Sequence, residues 1–189
     1  MMNQLNLHKC YSHFRTVMTH RKWVRHYCNI LGLWRQGWMH DLSKYSPTEF
    51  LESARFYQGS RSPIDACKEK QGYSLAWLHH RGRNKHHWEY WVDDFSKGMR
   101  PILMPYEYAC EMLCDFLGAG HAYMGRSFSI QKECEWWERK RNEVVMHKAI
   151  RFFLDWCFAG LLECGEEWFT RFHVAYAYRV SVDTFGGDK

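Results

Sequence analysis

The sequence is short of proline, with four in 189 residues, and it contains no Cys-x-x-Cys pair, internal repeat, low-complexity stretch or dense run of Lys and Arg. Each absence removes a class of protein. Few prolines beside ten Trp, eleven Tyr and twelve Phe argue against disorder over most of the length. The eight cysteines (Cys10, Cys28, Cys67, Cys110, Cys114, Cys134, Cys157 and Cys164) fall mostly within apolar helical patterns, so they read as reduced small hydrophobes of an intracellular protein, without a disulfide framework. No apolar run approaches the ~18 residues needed to cross a bilayer. The opening "MMNQLNLHKC" has no apolar core of a signal peptide, so a cytoplasmic protein without membrane contact is expected. Lys and Arg outnumber Asp and Glu by 26 to 21, giving a net charge of +5. Spread along the chain, that excess suits an anionic ligand such as a phosphate better than a nucleic-acid tail.

What is present is an apolar share of 46%, an aromatic share of 17% and twelve histidines. The length suits one core, so residues 1–189 are expected to form a single domain. Histidine stands out because it is the commonest metal ligand among side chains and titrates near neutrality.

Helical spacing runs from about Leu5 to Leu31 through Val17, Val24 and Tyr27, with His20 on the same stripe and Gly32 as a stop. A second helix is expected to end around "MHDLSK", residues 39–44. In "SPTEF", Ser46 stands at an N-cap, Pro47 at the first helical position and Glu49 where a capping box expects it, predicting a helix from Pro47 to about Tyr57. Ser62 and Pro63 start another that, interrupted or bent near Gly72, reaches "LAWLHH"; the basic loop "RGRNK" and "HHWEYW" follow. Pro105 leads into a helix from about Tyr106 to Ala119, with Glu111 and Asp115 four apart on one face. Further helices are expected at about 130–145 and 147–163, ending at Gly165. The tail "RFHVAYAYRVSV" alternates like a strand but has no obvious partner, so its state stays open. The expected fold is all-α, a single-domain helical bundle.

A metal that cleaves phosphate esters needs imidazoles and carboxylates converging from several segments, with coordination positions left for water and substrate. His20, the His40-Asp41 dipeptide, the pairs His79-His80 and His86-His87, and Asp115 offer such a set from separate helices or helix edges. Neighbouring residues on a helix point about 100° apart, so His40 and Asp41 share a cation only if it sits in the angle between them. The ordinary alternatives are a hydrogen-bonded pair at a helix end for His40 and Asp41, and a solvated basic loop for the later histidines. Glu111, one turn before Asp115, is placed to orient a ligating histidine or simply to form a salt bridge.

This ordered set resembles the HD superfamily of metal-dependent phosphohydrolases, whose signature runs His, then His-Asp, then a distant Asp. The resemblance covers an HD-like core of about residues 13–120, leaving a helical extension at about 128–165 and a tail at 166–189. "HDLSK" resembles the HDxxK variant of HD-GYP-type phosphodiesterases, in which the lysine, here Lys44, lies close to the metal centre and the substrate phosphate. The Gly and Tyr of that signature are absent, so cleavage of a cyclic dinucleotide is not implied. The chain is also similar to a family of small uncharacterised proteins of bacterial and phage genomes that carry "HDLSKYSPTEF", "RNKHHWEYW" and "EMLCD" in this order and continue through "WWERKR". That similarity implies no activity.

The resemblance implies a first ion on His20, His40, Asp41 and Asp115, and a second site completed by His86 and His87. One or two divalent ions are expected, Mn, Fe, Co, Ni or Mg. His13, seven residues before His20 on the same stripe, is the alternative first ligand. Lys44 would neutralise charge on the phosphate, and His80 would orient a ligand or donate a proton; read from their own chemistry, Arg83 and Lys85, with Arg81, either receive the phosphate or form a plain solvated loop. The expected activity is hydrolysis of a nucleotide or other small phosphoester. A di-iron oxygenase is the enzymatic alternative. A non-enzymatic, phage-type interaction or nucleic-acid-binding protein is the other, though no concentrated basic stripe favours nucleic acid.

Overall fold

A long first helix sets the frame, and its cause is a strict stripe. In α1 (Leu7–Ile30) the buried positions are His13, Val17, His20, Val24, Tyr27 and Cys28, spaced by fours and threes, and Asn6 caps the helix by accepting from the Lys9 N–H. The computed structural model describes residues 5–95 and 98–187. Gly32, at φ +76°, turns the chain into α2 (Trp34–Met39), and a short 3₁₀ turn at Leu42–Tyr45 leads to α3 (Pro47–Phe56), started by Ser46 and Pro47 as the sequence predicts.

The stretch from Pro63, expected to be interrupted or bent near Gly72, is interrupted there and forms two helices. Gly72 adopts φ +82° and ends α4 (Pro63–Gln71), and Ser74 caps α5 (Leu75–Arg81) by accepting from the Trp77 N–H. The break redirects the chain, so that α5 returns along α3. After a 3₁₀ turn at Trp88–Trp91 comes a feature absent from the sequence reading, an antiparallel hairpin of β1 (Val92–Phe95) and β2 (Gly98–Pro101), with Val92 opposite Pro101.

α6 (Tyr106–Met124) packs along α1 over the most extensive helix contact in the fold. The approach depends on Gly118, where a Cβ would lie 2.5 Å from Val24 Cγ2 and 3.1 Å from the Val24 backbone nitrogen. α7 (Ile130–Lys140) is shorter than the predicted 130–145, and α8 (Lys148–Cys164) lies close to its expected span. The tail is helical, as α9 (Arg171–Phe185), with Thr170 accepting from the His173 N–H at its start. Its buried residues Val174, Ala177 and Ser181 recur by threes and fours, and packing against α8 makes that period the operative one. The main apolar core joins Leu113 and Leu117 of α6 to Phe153, Leu154 and Leu161 of α8 and Val174 of α9. Among the described residues the architecture is therefore an all-helical domain with one small hairpin, all eight cysteines are unpaired, and no helix is long and apolar enough to cross a membrane.

Candidate metal centre

The site is built on a sharp turn. α2 stops at Met39, His40 turns extended with φ −48° and ψ 127°, and Asp41 takes φ 55° and ψ 25°. Asp41 is the one non-glycine residue at positive φ among the described residues. A left-handed conformation costs ~1–2 kcal/mol for most residues and is tolerated best by Asn and Asp. Arg21 of α1 fixes the turn from outside, donating to the carbonyl oxygens of His40 and Trp38 at 2.8 Å each. Leaving helical geometry removes the divergence expected of neighbours on a helix, and His40 Nε2 lies 3.2 Å from Asp41 Oδ2.

Around that pair α1 contributes His20 and α6 contributes Asp115. His20 Nε2 stands 3.1 Å from His40 Nε2, 3.2 Å from Asp41 Oδ2 and 3.1 Å from Asp115 Oδ1, while His40 Nε2 is 3.3 Å from Asp115 Oδ1. Donors bound at ~2.0–2.2 Å to one cation lie about 3–3.5 Å from one another in tetrahedral or octahedral arrangement. The observed edges match that spacing. Two imidazole nitrogens and two carboxylate oxygens so packed, all four residues buried, repel unless protons or a cation lie between them.

A second set meets the other oxygen of Asp41. His80 Nε2 is 3.2 Å and His86 Nε2 3.4 Å from Asp41 Oδ1, and His87 completes a group whose donor atoms all lie within 4.8 Å of one another. Asp41 Oδ1, His86 Nε2 and His87 Nε2 are buried and have no hydrogen-bond partner. Buried polar atoms are nearly always paired, so three orphans at one point fit a cation, and the donor set of three imidazoles and a carboxylate fits a divalent transition metal.

Two outer carboxylates aim these rings. Glu111 Oε1 accepts from Nδ1 of His40 at 2.8 Å and lies 3.0 Å from Nδ1 of His86, so one oxygen leaves both Nε2 lone pairs facing inward. Glu49 does the same from α3, with Oε1 2.6 Å from His79 Nδ1 and Oε2 2.7 Å from His80 Nδ1. Glu49 belongs to this cluster, where the sequence reading took it only for a helix cap. Its available signal was position, a carboxylate one helix away from a histidine pair. His80, expected to orient a ligand or donate a proton, is placed among the donors.

Burial disfavours the charged imidazole of His40, but Asp41, Asp115 and Glu111 outweigh it and hold its pKa well above 6.5. At Asp41 and Asp115 burial is likewise overcome, chiefly by His40 and Lys44 at the first and by His20 and His40 at the second, and both stay well below the usual carboxylate range. Burial, with the charges of His86 and His80, keeps the His87 ring well below its ordinary pKa and hence neutral, the state a ligand requires.

Lys44 reaches the same point, its Nζ 2.6 Å from Asp41 Oδ2. Above the donors lies a cavity of about 180 Å³ whose walls include His20, His80, His87, Asp115 and Lys44. His13, the alternative first ligand, lines this cavity one turn pair away and is not among the donors; its Nδ1 is buried without a partner. Arg83 and Lys85, expected to receive the phosphate, stand outside: both are exposed, neither lines the cavity, and the Lys85 ammonium rests over the rings of Tyr90 and Tyr108. Charge in a loop carries no information about direction, and the loop turns these two outward as it brings His86 in.

A family model described as a family of unknown function (DUF5662) matches residues 9–158, a span that holds every donor and both outer carboxylates. No curated protein and no solved structure matches the chain.

Proposed function

Because the chain belongs to this family of unknown function, its chemistry rests on its own site, and we propose that it is a metal-dependent phosphohydrolase acting on a small phosphoester. The observation that carries the reading is the placement of Asp41, whose Oδ2 faces His20, His40 and Asp115 while its Oδ1 faces His80, His86 and His87. One carboxylate shared between two donor sets is the arrangement of a two-ion site. The resemblance to the HD superfamily supports the same reading. Bound ions would lower the pKa of a coordinated water and polarise the phosphoryl oxygens, and imidazole-rich sets suit Fe, Co or Ni better than Mn or Mg.

The remaining work falls to the chain. Lys44, fixed against Asp41 at the cavity wall, places a positive charge where phosphoryl oxygens gather charge in the transition state. Glu111 and Glu49 keep the ligand rings from rotating. The small cavity limits the water that reaches the phosphoryl group. A lysine in this position favours an anionic substrate over dioxygen.

The test is elemental analysis of the purified protein, followed by reloading with each metal and assay on p-nitrophenyl phosphate and a nucleotide panel. Metal-dependent hydrolysis in the wild type, lost in Asp41→Asn together with bound metal, is the expected result. Failure to retain any divalent ion would overturn the reading. A mixed-valent di-iron signal without hydrolysis would replace it by a di-iron oxygenase.

A further inference from the structure

Next to the cavity over the donors lies a larger one of about 490 Å³, and the two share Ser62, Ala119 and Tyr123 on their walls. Its inner wall is the seam between α6 and α7. There Glu133, only 4 % exposed, sets its carboxyl against Gly120 so closely that a Cβ at position 120 would lie 2.1 Å from Oε2. Only glycine leaves room for that carboxyl. Among the described residues no hydrogen bond or ion pair reaches either oxygen, although both belong to a residue that lines the cavity. Burial, assisted by the charge of Asp115, pushes its pKa up to about 8. A carboxyl this deeply set, with no protein partner, is matched by a donor that enters through the cavity.

The other walls say what kind of donor. Phe116 and Trp136 stand edge to face at 5.0 Å, and with Tyr123 they give the cavity flat aromatic faces. Exposed charges of both signs, Lys132 and Arg139 with Asp65 and Glu135, stand at its rim, so the aromatic faces and the Glu133 carboxyl are what set the choice of ligand. Along α6, Gly120 lies five residues beyond Asp115, about 7.5 Å at ~1.5 Å per residue. The shared wall lets one molecule place a phosphoryl group at the donors and a ring in the outer cavity.

Resting on the phosphoester reading, we propose that the outer cavity takes the other end of the substrate, a flat ring bearing an N–H donor, and that Glu133 is the specificity-determining residue accepting from it. Gly120 is the position that makes Glu133 available. The aromatic faces stack on the ring, and the carboxyl distinguishes an N–H-bearing ring from a sugar or a plain aryl group.

Two arms test this on the full chain. Calorimetric titration with adenosine and guanosine, against ribose as control, reads the outer cavity without any catalysis. Comparison of kcat/KM for the two 5′-monophosphates with those for ribose 5-phosphate and p-nitrophenyl phosphate reads it during turnover. The nucleosides are expected to bind at least tenfold more tightly than ribose. Glu133→Leu should remove about tenfold of that affinity, and Glu133→Gln, which keeps one acceptor oxygen, should retain most of it. Gly120→Ala should act like Glu133→Leu by displacing the carboxyl, and in both the ratio of kcat/KM for the nucleoside monophosphates to that for p-nitrophenyl phosphate should fall about tenfold. Nucleosides binding no better than ribose, or equal binding by Glu133→Leu and wild type, overturns the assignment. Intact nucleoside binding in a protein that hydrolyses no phosphoester with any metal would instead remove the phosphohydrolase reading and leave the ring site standing.

Discussion

The two sides of α6 bury opposite kinds of residue. Toward α1, α3 and α5 the interior holds His20, His40, Asp41, Glu49, His80, His86, Glu111 and Asp115; toward α8 it holds Ile150, Phe153, Leu154, Cys157, Phe158 and Leu161. The apolar side is a source of stability, at about 25 cal/mol for each Å² taken out of water. The polar side is a drain on it, because desolvated charges are repaid only by close partners, and here some atoms have none. One face of the central helix supplies apolar burial and the other gathers a costly polar cluster, so damage on each side is expected to have a different signature.

The largest effect is expected from Asp41→Asn. Asn tolerates the left-handed backbone that position 41 requires, so the turn survives while the shared negative charge is lost. We expect hydrolysis to fall by at least ~10³-fold, about 4 kcal/mol of transition-state stabilisation, with metal content falling alongside and the circular dichroism spectrum unchanged. Phe153→Ala is its mirror. Phe153 is fully buried and meets Tyr178 of α9 edge to face at 5.6 Å. Denaturant titration should show a loss of ~3–5 kcal/mol, while metal bound per chain below the transition stays at the wild-type value. Loss of metal in this variant would mean that the two faces are not separable.

The same contrast explains what could be read from the sequence. The apolar side follows from periodicity, and so do two of the donors: His20 lies on the buried stripe of α1, and Asp115 lies in the otherwise apolar run of α6. The adjacency of His40 and Asp41 was visible, but the positive φ that lets both face one point is a tertiary outcome. Glu49 was hidden by a sufficient local explanation, the cap at Ser46, where in the structure the Glu49 N–H donates to Ser46 at 3.4 Å while its carboxylate turns to the histidines. α9 was hidden by an accident of spelling, since Val174, Tyr176 and Tyr178 alternate with small or charged residues while the packed face runs through Val174, Ala177 and Ser181. The hairpin after Trp91 has four-residue strands with charged side chains, too short and too polar to announce a sheet.

Glu133 sits at the seam between the two sides and gives a pH signature. Its carboxyl is raised from 4.5 to about 8 by burial first and by Asp115 second, so folding favours the protonated form. The stability this proton contributes is complete below pH 4.5 and is lost as pH rises through about 8. Glu133→Gln cannot ionise, so its stability relative to wild type should grow between pH 5 and pH 8, by up to ~4 kcal/mol at 1.36 kcal/mol per pH unit of difference between the two states. Denaturant melts of both proteins across that range measure it. A constant difference would show that the carboxyl is hydrated and titrates normally.

The smallest effect tests whether the polar side is preorganised or merely crowded. Glu111 touches the donors only through Nδ1 of His40 and Nδ1 of His86, at 2.8 and 3.0 Å. Glu111→Gln keeps the volume and one acceptor oxygen but removes the charge that makes both rings better ligands, and its amide nitrogen cannot accept from either. Losing such an outer partner typically costs ~10–100-fold in metal affinity, so competition with a chelator should show weaker retention at unchanged stoichiometry. Unchanged affinity would mean that crowding alone positions the rings. A drop in stoichiometry would instead move Glu111 from orienting the donors to being one, since its oxygen already lies in a cluster with His40 and His86.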